Sequence, residues 1–423
     1  MKNKHRTVHL SFAFVVGFAL LAFLAWSLSA CRASGQEALP RLLAVIEMPP
    51  GIGLTAQGVI HPNGKAYILN QSGSIAVLNG PRLITLITEL DKVRNSMTDL
   101  AVSGNGGYVY VTDLYANTLD IIRDTTVVST ISGIGPSPVR VVVHPKTGYV
   151  YVANIKKPGG EGTVTVISGT TVITDVQVGY MPRTLLVNPV NGLVYVGQTR
   201  PSSNKHAKML AIIRGTELIT QTNLGLDIYG SITDIAVNPN TGEMYMIPNY
   251  GTLIYWDGAQ DVRMIDMYRH GKYSLNNVAV DTKRNWAYVS SWDGPPSHVA
   301  VVNKDKVIAD IEVPGYDLRG IVYDATHDYI YVANRLSGTM SIIRGTEVIT
   351  TVSTGGMEPA YITVDEKRGY IYVSNTFSHS VAVFGYEAKP QETSARKHFL
   401  PFCEIKLGAR FFGGIKKNQG FPR

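Results

Sequence analysis

The stretch Val141-Val142-Val143-His144-Pro145-Lys146-Thr147-Gly148-Tyr149-Val150-Tyr151-Val152-Ala153-Asn154 decides the fold. It reads as a strand, a turn and a second strand. Its β-branched and aromatic residues suit a pleated, half-buried surface. Pro145 cannot donate to a ladder, and Gly148 supplies the positive φ that closes a hairpin. The same unit returns as Val187-Asn188-Pro189 to Tyr195-Val196, and again as Val237-Asn238-Pro239 to Tyr245-Met246.

A tyrosine of the second strand marks the register at Tyr67, Tyr110, Tyr151, Tyr195, Tyr245, Tyr288, Tyr331 and Tyr372. The intervals are 43, 41, 44, 50, 43, 43 and 41 residues. Each unit continues with an alternating third strand, such as Thr163-Val164-Thr165-Val166-Ile167. A fourth follows, such as Thr171-Val172-Ile173-Thr174-Asp175-Val176. Four short strands at a fixed period of this length describe a β-propeller blade. The predicted fold is therefore all-β, a propeller of eight four-stranded blades, with seven as the alternative. The long fourth interval predicts an inserted loop around Pro201 to Lys208. The last unit stops after its third strand, Ser380-Val381-Ala382-Val383-Phe384. The opening segment Arg41-Leu42-Leu43-Ala44-Val45-Ile46-Glu47 looks like a fourth strand without a blade, so it is expected to complete the last one and hide its edge. The eight marker tyrosines are expected in the core, with each hydroxyl reaching a partner. Trp256, Trp286 and Trp292 are also expected to pack between blades, and the irregular loop Trp292-Asp293-Gly294-Pro295-Pro296 to border a pocket.

The phrases Tyr151-Val152-Ala153-Asn154, Tyr331-Val332-Ala333-Asn334, Tyr372-Val373-Ser374-Asn375 and Tyr110-Val111-Thr112-Asp113 resemble the YVTN β-propeller repeat. The resemblance covers about residues 41–387. It departs most at Tyr67-Ile68-Leu69-Asn70 and at Tyr245-Met246-Ile247-Pro248, and many members of that group have seven blades. The fifth blade is thus the one whose existence the sequence supports least.

The N-terminus reads as an address. Lys2, Lys4 and Arg6 precede an apolar run from about Val8 to Ala30, which describes an export signal. The run ends Leu28-Ser29-Ala30-Cys31, which resembles the lipobox of bacterial lipoproteins and implies a lipid-bearing Cys31. An uncleaved membrane anchor is the alternative, since the run is long enough to span a bilayer and its basic flank would stay inside. The expected organisation is a signal over 1–30, a tether over 31–40, the repeat array over 41–387 and a tail over 388–423. The localisation that follows is extracytoplasmic and membrane-anchored, at the cell surface or in the periplasm.

The formal charge of +7 belongs to the chain ends. Residues 1–31 carry +3 and residues 388–423 carry +6, which leaves −2 for residues 32–387. A basic composition is therefore no argument for nucleic-acid binding by the body. The tail carries Arg396-Lys397, Lys416-Lys417, Phe399, Phe402, Phe411 and Phe412. It reads as a disordered extension or as a segment for anionic lipid or nucleic acid. The two cysteines, Cys31 and Cys403, form no CxxC or CxxCH, so zinc ribbons and covalent haem are unsupported.

Propeller ligands commonly sit where the first strands open onto the central channel. Aligned on that strand, the residues there are Gln57, Asp99, Arg140, Thr184, Asp234, Asn277, Gly320 and Tyr361, with Arg183 and Arg319 one residue earlier. Asp99, Arg140, Arg183, Asp234, Asn277 and Arg319 form the candidate ligand site, suited to a polar or anionic molecule. The competing reading is that Asp99 and Asp234 pair with the arginines or cap turns. Gly135-Pro136-Ser137-Pro138, Gly179-Tyr180-Met181-Pro182 and Gly356-Met357-Glu358-Pro359 precede first strands; no helix follows, so they are turns and not phosphate loops. His61 and His144 hold the slot of Asn188 and Asn238, which predicts turn capping instead of metal ligation. No HExxH, GxSxG elbow or Walker sequence occurs. The expectation is a monomeric binding module for a protein, a glycan or a small polar ligand, with no cofactor and no metal. A lactonase-like hydrolase or lyase is the alternative, and a nucleic-acid-binding propeller a further one.

Overall fold

The computed structural model describes residues 38–386, apart from 49–54, 71–72, 89, 91–96, 105–106, 156–159, 205, 250, 272–273 and 293. The signal, Cys31, most of the tether, Cys403 and the tail 388–423 lie outside the described residues. Among the described residues there is no α-helix, only two short 3-10 turns, Met267–His270 and Arg335–Ser337.

Eight antiparallel four-stranded sheets follow one another along the chain. Their first strands are Thr55–Ile60, Met97–Val102, Pro138–Val143, Thr184–Val187, Asp234–Val237, Leu275–Asp281, Leu318–Asp324 and Pro359–Asp365. Each first strand packs on that of the next blade, and the last packs on the first, so the ring closes. The fifth blade is complete, with Asp234–Val237, Met244–Asn249, Thr252–Trp256 and Val262–Asp266. That excludes the seven-bladed alternative.

Burial follows radial position. Second and third strands are largely buried, and Val150–Asn154 and Ser380–Gly385 are buried at every residue, because each blade face lies against a neighbouring blade. Fourth strands alternate, as in Thr126–Ile131, because only one side meets a blade. These outer edges are bulged: Ile84, Val128, Ile173, Ile219, Ile308 and Ile349 each sit as the extra residue opposite a third strand. Leu43 does the same in the N-terminal strand. A bulge breaks the ladder and twists an exposed edge away from further pairing.

The last sheet runs outward as Pro359–Asp365, Tyr370–Asn375, Ser380–Gly385 and then Arg41–Glu47. The N-terminal strand thus supplies the missing fourth strand, with Arg41 opposite Gly385 and Glu47 opposite Ser380. The long fourth interval is more than a loop. Thr199–Arg200 pairs with Gly230–Ser231 as a two-stranded ribbon, and the Arg200 guanidinium donates to Asp227 at 3.0 Å and to the Ile228 carbonyl at 2.7 Å.

All eight marker tyrosines are buried. Several reach the turn between the third and fourth strands of the next blade. Tyr67, Tyr151 and Tyr288 donate to the carbonyls of Asp124, Gly215 and Gly345 at 2.7, 2.9 and 2.8 Å, and Tyr245 accepts from the Lys304 amide at 2.9 Å. Each of those turn residues has φ between 56° and 59°, so the same left-handed position faces the tyrosine every time. At the closing blade that turn does not exist, because its fourth strand comes from the other end of the chain. There Tyr331 bonds Tyr386, which stacks on His327 with ring centroids 3.6 Å apart.

The turns between first and second strands form a tied ring. His61 accepts from the Asn63 amide, and His144 from the Lys146 and Thr147 amides, at 3.1, 3.1 and 3.2 Å. Asn188 and Asn238 cap their turns in the same way. The caps also reach sideways. His144 contacts the Gly192 carbonyl at 3.1 Å, Asn188 donates to that of Gly242 at 2.9 Å, and Asn238 donates to Asn285 at 2.7 Å. Arg284 bridges the buried Asp281 and Asp328 of the next blade at 2.5 and 2.7 Å.

Candidate functional site

The opposite face, where first strands begin, is built differently. In six blades the first strand is bulged where it starts: at Thr55/Gly58, Met97/Asp99, Pro138/Arg140, Leu275/Val278, Leu318/Ile321 and Pro359/Tyr361. In a regular strand two consecutive side chains point to opposite faces. The bulge re-aims one of them, so both members of Val139/Arg140, Asn276/Asn277 and Ala360/Tyr361 line the same opening. The connection into the strand is strained as well. Ser137, Asp317 and Glu358 sit immediately before it and Met181 three residues before it, with φ from 44° to 56°, a conformation that disfavours side chains with a Cβ. Gly135, Gly315 and Gly356 approach Asn154, Asn334 and Asn375 so closely that an added Cβ would lie 2.4 to 2.8 Å from the asparagine side chain. This gives the Asn of the repeat phrase its role. It donates to third-strand hydroxyls, as Asn154 does to Thr165 at 2.9 Å and Asn334 to Ser341 at 2.9 Å, and it seats the turn that leads into the channel.

Three depressions of about 560, 480 and 400 Å³ share lining residues and form one continuous mouth. Thr233 lines all three, Arg140 and Tyr361 line two, and Asn276 and Arg319 line two. The first also holds Trp292, Leu275 and Ser231, and the second Thr98 and Arg183. The volumes are those of small-molecule sites.

The expected site residues gather here in two roles. Arg140, Arg183, Asn277 and Arg319 line the mouth. Asp99 and Asp234 lie beneath it and do not form the ion pairs with Arg140, Arg183 or Arg319 that one reading of the sequence expects. Each instead staples two blades: Asp99 accepts from the Val141 amide at 2.9 Å, and Asp234 from the Val278 amide at 2.9 Å and Asn277 at 3.1 Å. Burial pushes both carboxyls above the ordinary aspartate range; the backbone donors and Arg140 pull the other way but less strongly. Arg319 pairs with Asp317 at 3.0 Å, and Asp317 with Arg335 at 2.9 Å, which continues to Glu358 at 2.7 Å. Asp317, Arg335 and Glu358 are absent from the sequence-based site because they lie in loops outside the aligned strand column; the position after the repeat-phrase asparagine is the signal that marks Arg335. Trp292 is a correction. It is 44% exposed and lines the mouth, with the Arg319 guanidinium 5.6 Å from its ring, so it is not blade packing. Trp256 does pack, edge-on to Tyr195 at 5.5 Å. Among the described residues, no three His, Cys, Asp or Glu side chains gather to hold a metal ion.

No protein-family profile matches the chain, and no curated protein does. Solved structures do. Hydrazine synthase of Kuenenia stuttgartiensis superposes with a TM-score of 0.54 at 14% identity, over 81% of this chain and 98% of that one. BamB from Moraxella catarrhalis superposes with a TM-score of 0.59 at 14% identity, over 82% of this chain and all of that one. At such identity the likeness concerns the fold alone: the chain is an eight-bladed β-propeller, similar in architecture to these two proteins.

Proposed function

We propose that this protein is a non-enzymatic binding module that engages a protein, a glycan or a small polar ligand at the mouth of its channel. One observation carries the reading: seven of the eight blades contribute side chains to one continuous opening, lined by Thr98, Arg140, Arg183, Thr233, Asn276, Arg319 and Tyr361 among others. Its aromatic and guanidinium groups are the residue types that dominate recognition surfaces. Ligands that raise the melting temperature of the wild-type chain are expected to lose that effect in an Arg140→Ala/Arg319→Ala double variant; a shift that survives makes the mouth structural.

We read the chain as a YVTN-type repeat protein on the strength of its Tyr-Val-Ala-Asn and Tyr-Val-Ser-Asn phrases. We read it also as exported and held at the outer face of a bacterial membrane through a lipidated Cys31. The motif Leu28-Ser29-Ala30-Cys31 after a basic and apolar start supports this address. Incorporation of labelled palmitate in a bacterial host, lost in Cys31→Ser, is the test; unlabelled wild-type protein points to the uncleaved anchor.

A further inference from the structure

We propose that the 480 Å³ depression lined by Arg140, Arg183 and Tyr361 of the third, fourth and eighth blades, with walls from the second and fifth, is a subsite for a doubly charged oxyanion, the phosphate or paired carboxylates of a small organic molecule. The proposal rests on the reading of the mouth as a binding surface and names the ligand class for one part of it. Arg140 and Arg183 both line this depression, and no acidic residue does. The Arg140 Nε donates to the Arg183 carbonyl at 3.2 Å, which brings the two residues side by side. Among the described residues neither guanidinium forms an ion pair, whereas the other mouth arginines are engaged: Arg319 with Asp317, and Arg335 with Asp317 and Glu358. The carboxylates beneath, Asp99 and Asp234, feel the Arg140 charge but form no ion pair with either arginine; each accepts from a backbone amide of the next blade.

Arg140 and Arg183 present like charge to one depression, and an anion held there is attracted by both. Arginine also offers paired donors that match the oxygens of phosphate or carboxylate. The third donor is Tyr361, which faces the same depression from the eighth blade. Its ring is 40% exposed, and its hydroxyl has no partner among the described residues. Thr98 and Thr233 shape the wall without donating, because their hydroxyls already bond the Pro138 and Ile247 carbonyls at 2.9 and 3.2 Å. The positive charge is local: residues 32–387 carry a net −2, so the pair is no by-product of a basic body. A low-dielectric cleft lined by one sign of charge concentrates counter-ions.

The test is titration calorimetry of the full chain in detergent, at low ionic strength, with inorganic phosphate and, separately, succinate. Binding of at least one is expected, with affinity falling about tenfold or more in Arg183→Ala and in Arg140→Ala, which is the loss of one charge-assisted contact. Arg183→Lys is expected to lose less, and Lys146→Ala, on the turn face, nothing. The anion that binds identifies the source as phosphate or dicarboxylate. No heat from either anion overturns the proposal, and so does equal binding by wild type and Arg183→Ala. A parallel titration with neutral oligosaccharides separates the two readings. A glycan that binds and is lost in Asn276→Ala, beside silent anions, removes the oxyanion subsite and leaves the mouth as the binding surface.

Discussion

The two faces of the ring spend the same kinds of residue in opposite ways. On the turn face, His144, Asn188, Asn238 and Asp281 cap their own turns, and most then reach the neighbouring blade. Arg284 there is held by two carboxylates. On the mouth face, Arg140, Arg183 and Tyr361 are presented around a depression without such partners. A buried polar group left unpaired is costly, so a fold ties its polar groups wherever stability is the only demand. Where donors stand open toward a cavity, the energy they hold is available to a ligand. The comparison therefore separates an arginine held by carboxylates from arginines that face an open depression.

The strongest way to break the comparison is to open the ring itself. Deletion of residues 41–48 leaves the buried strand Ser380–Gly385 without its outer partner. The cooperative thermal transition followed by circular dichroism is expected to collapse, and an unchanged melting temperature would show that the closure is dispensable.

Alkali probes the blade junctions next. Burial pushes the Tyr67, Tyr151 and Tyr245 hydroxyls up to about 12. An unfolded tyrosine titrates near 10. The folded state thus holds these protons more tightly, so their stabilisation is complete below pH ~10 and is lost as pH rises toward 12. Absorbance at the tyrosinate band is expected to show a late, cooperative rise that coincides with unfolding. Marker tyrosines that titrate near 10 in the native protein would contradict their role between blades.

A single substitution on each face sharpens the contrast. Arg284→Ala strands the buried Asp281 beside Asp328 and is expected to cost about 2–3 kcal/mol in denaturant titration, below the full range for buried pairs because the arginine is partly exposed. Arg183→Ala removes an exposed mouth side chain and is expected to stay within about 0.5 kcal/mol of wild type. Similar costs at the two positions would erase the distinction between the faces.

Much of this architecture was legible before any coordinates. The tyrosine register, the hairpin chemistry of His144-Pro145 to Gly148 and the orphan strand Arg41–Glu47 are local signals, and local signals survive in a one-dimensional reading. The aligned first-strand column also brings Arg140, Asn277 and Tyr361 to one opening, because a repeat places equivalent residues at equivalent radii. What it could not show is the use of each residue. Asp99 and Asp234 look like ligand carboxylates in the alignment, yet they serve as blade staples. Trp292 looks like its buried counterpart Trp256, yet it lies open on the mouth. The ribbon of Thr199–Arg200 with Gly230–Ser231 joins segments about 30 residues apart, and nothing local announces that pairing.

The sequence by itself determined the repeat and the closing strand and left eight or seven blades open, because strand periodicity and turn chemistry are written within each unit of about 43 residues, while the weak fifth unit needed its four paired strands to be seen. Tertiary structure alone decided which arginines are paired. Ion pairing depends on which loops of different blades meet in space: Arg335 finds Asp317 across a loop and Glu358 from the next blade, while the Arg140 side chain donates to the Arg183 carbonyl and both arginines line an open depression.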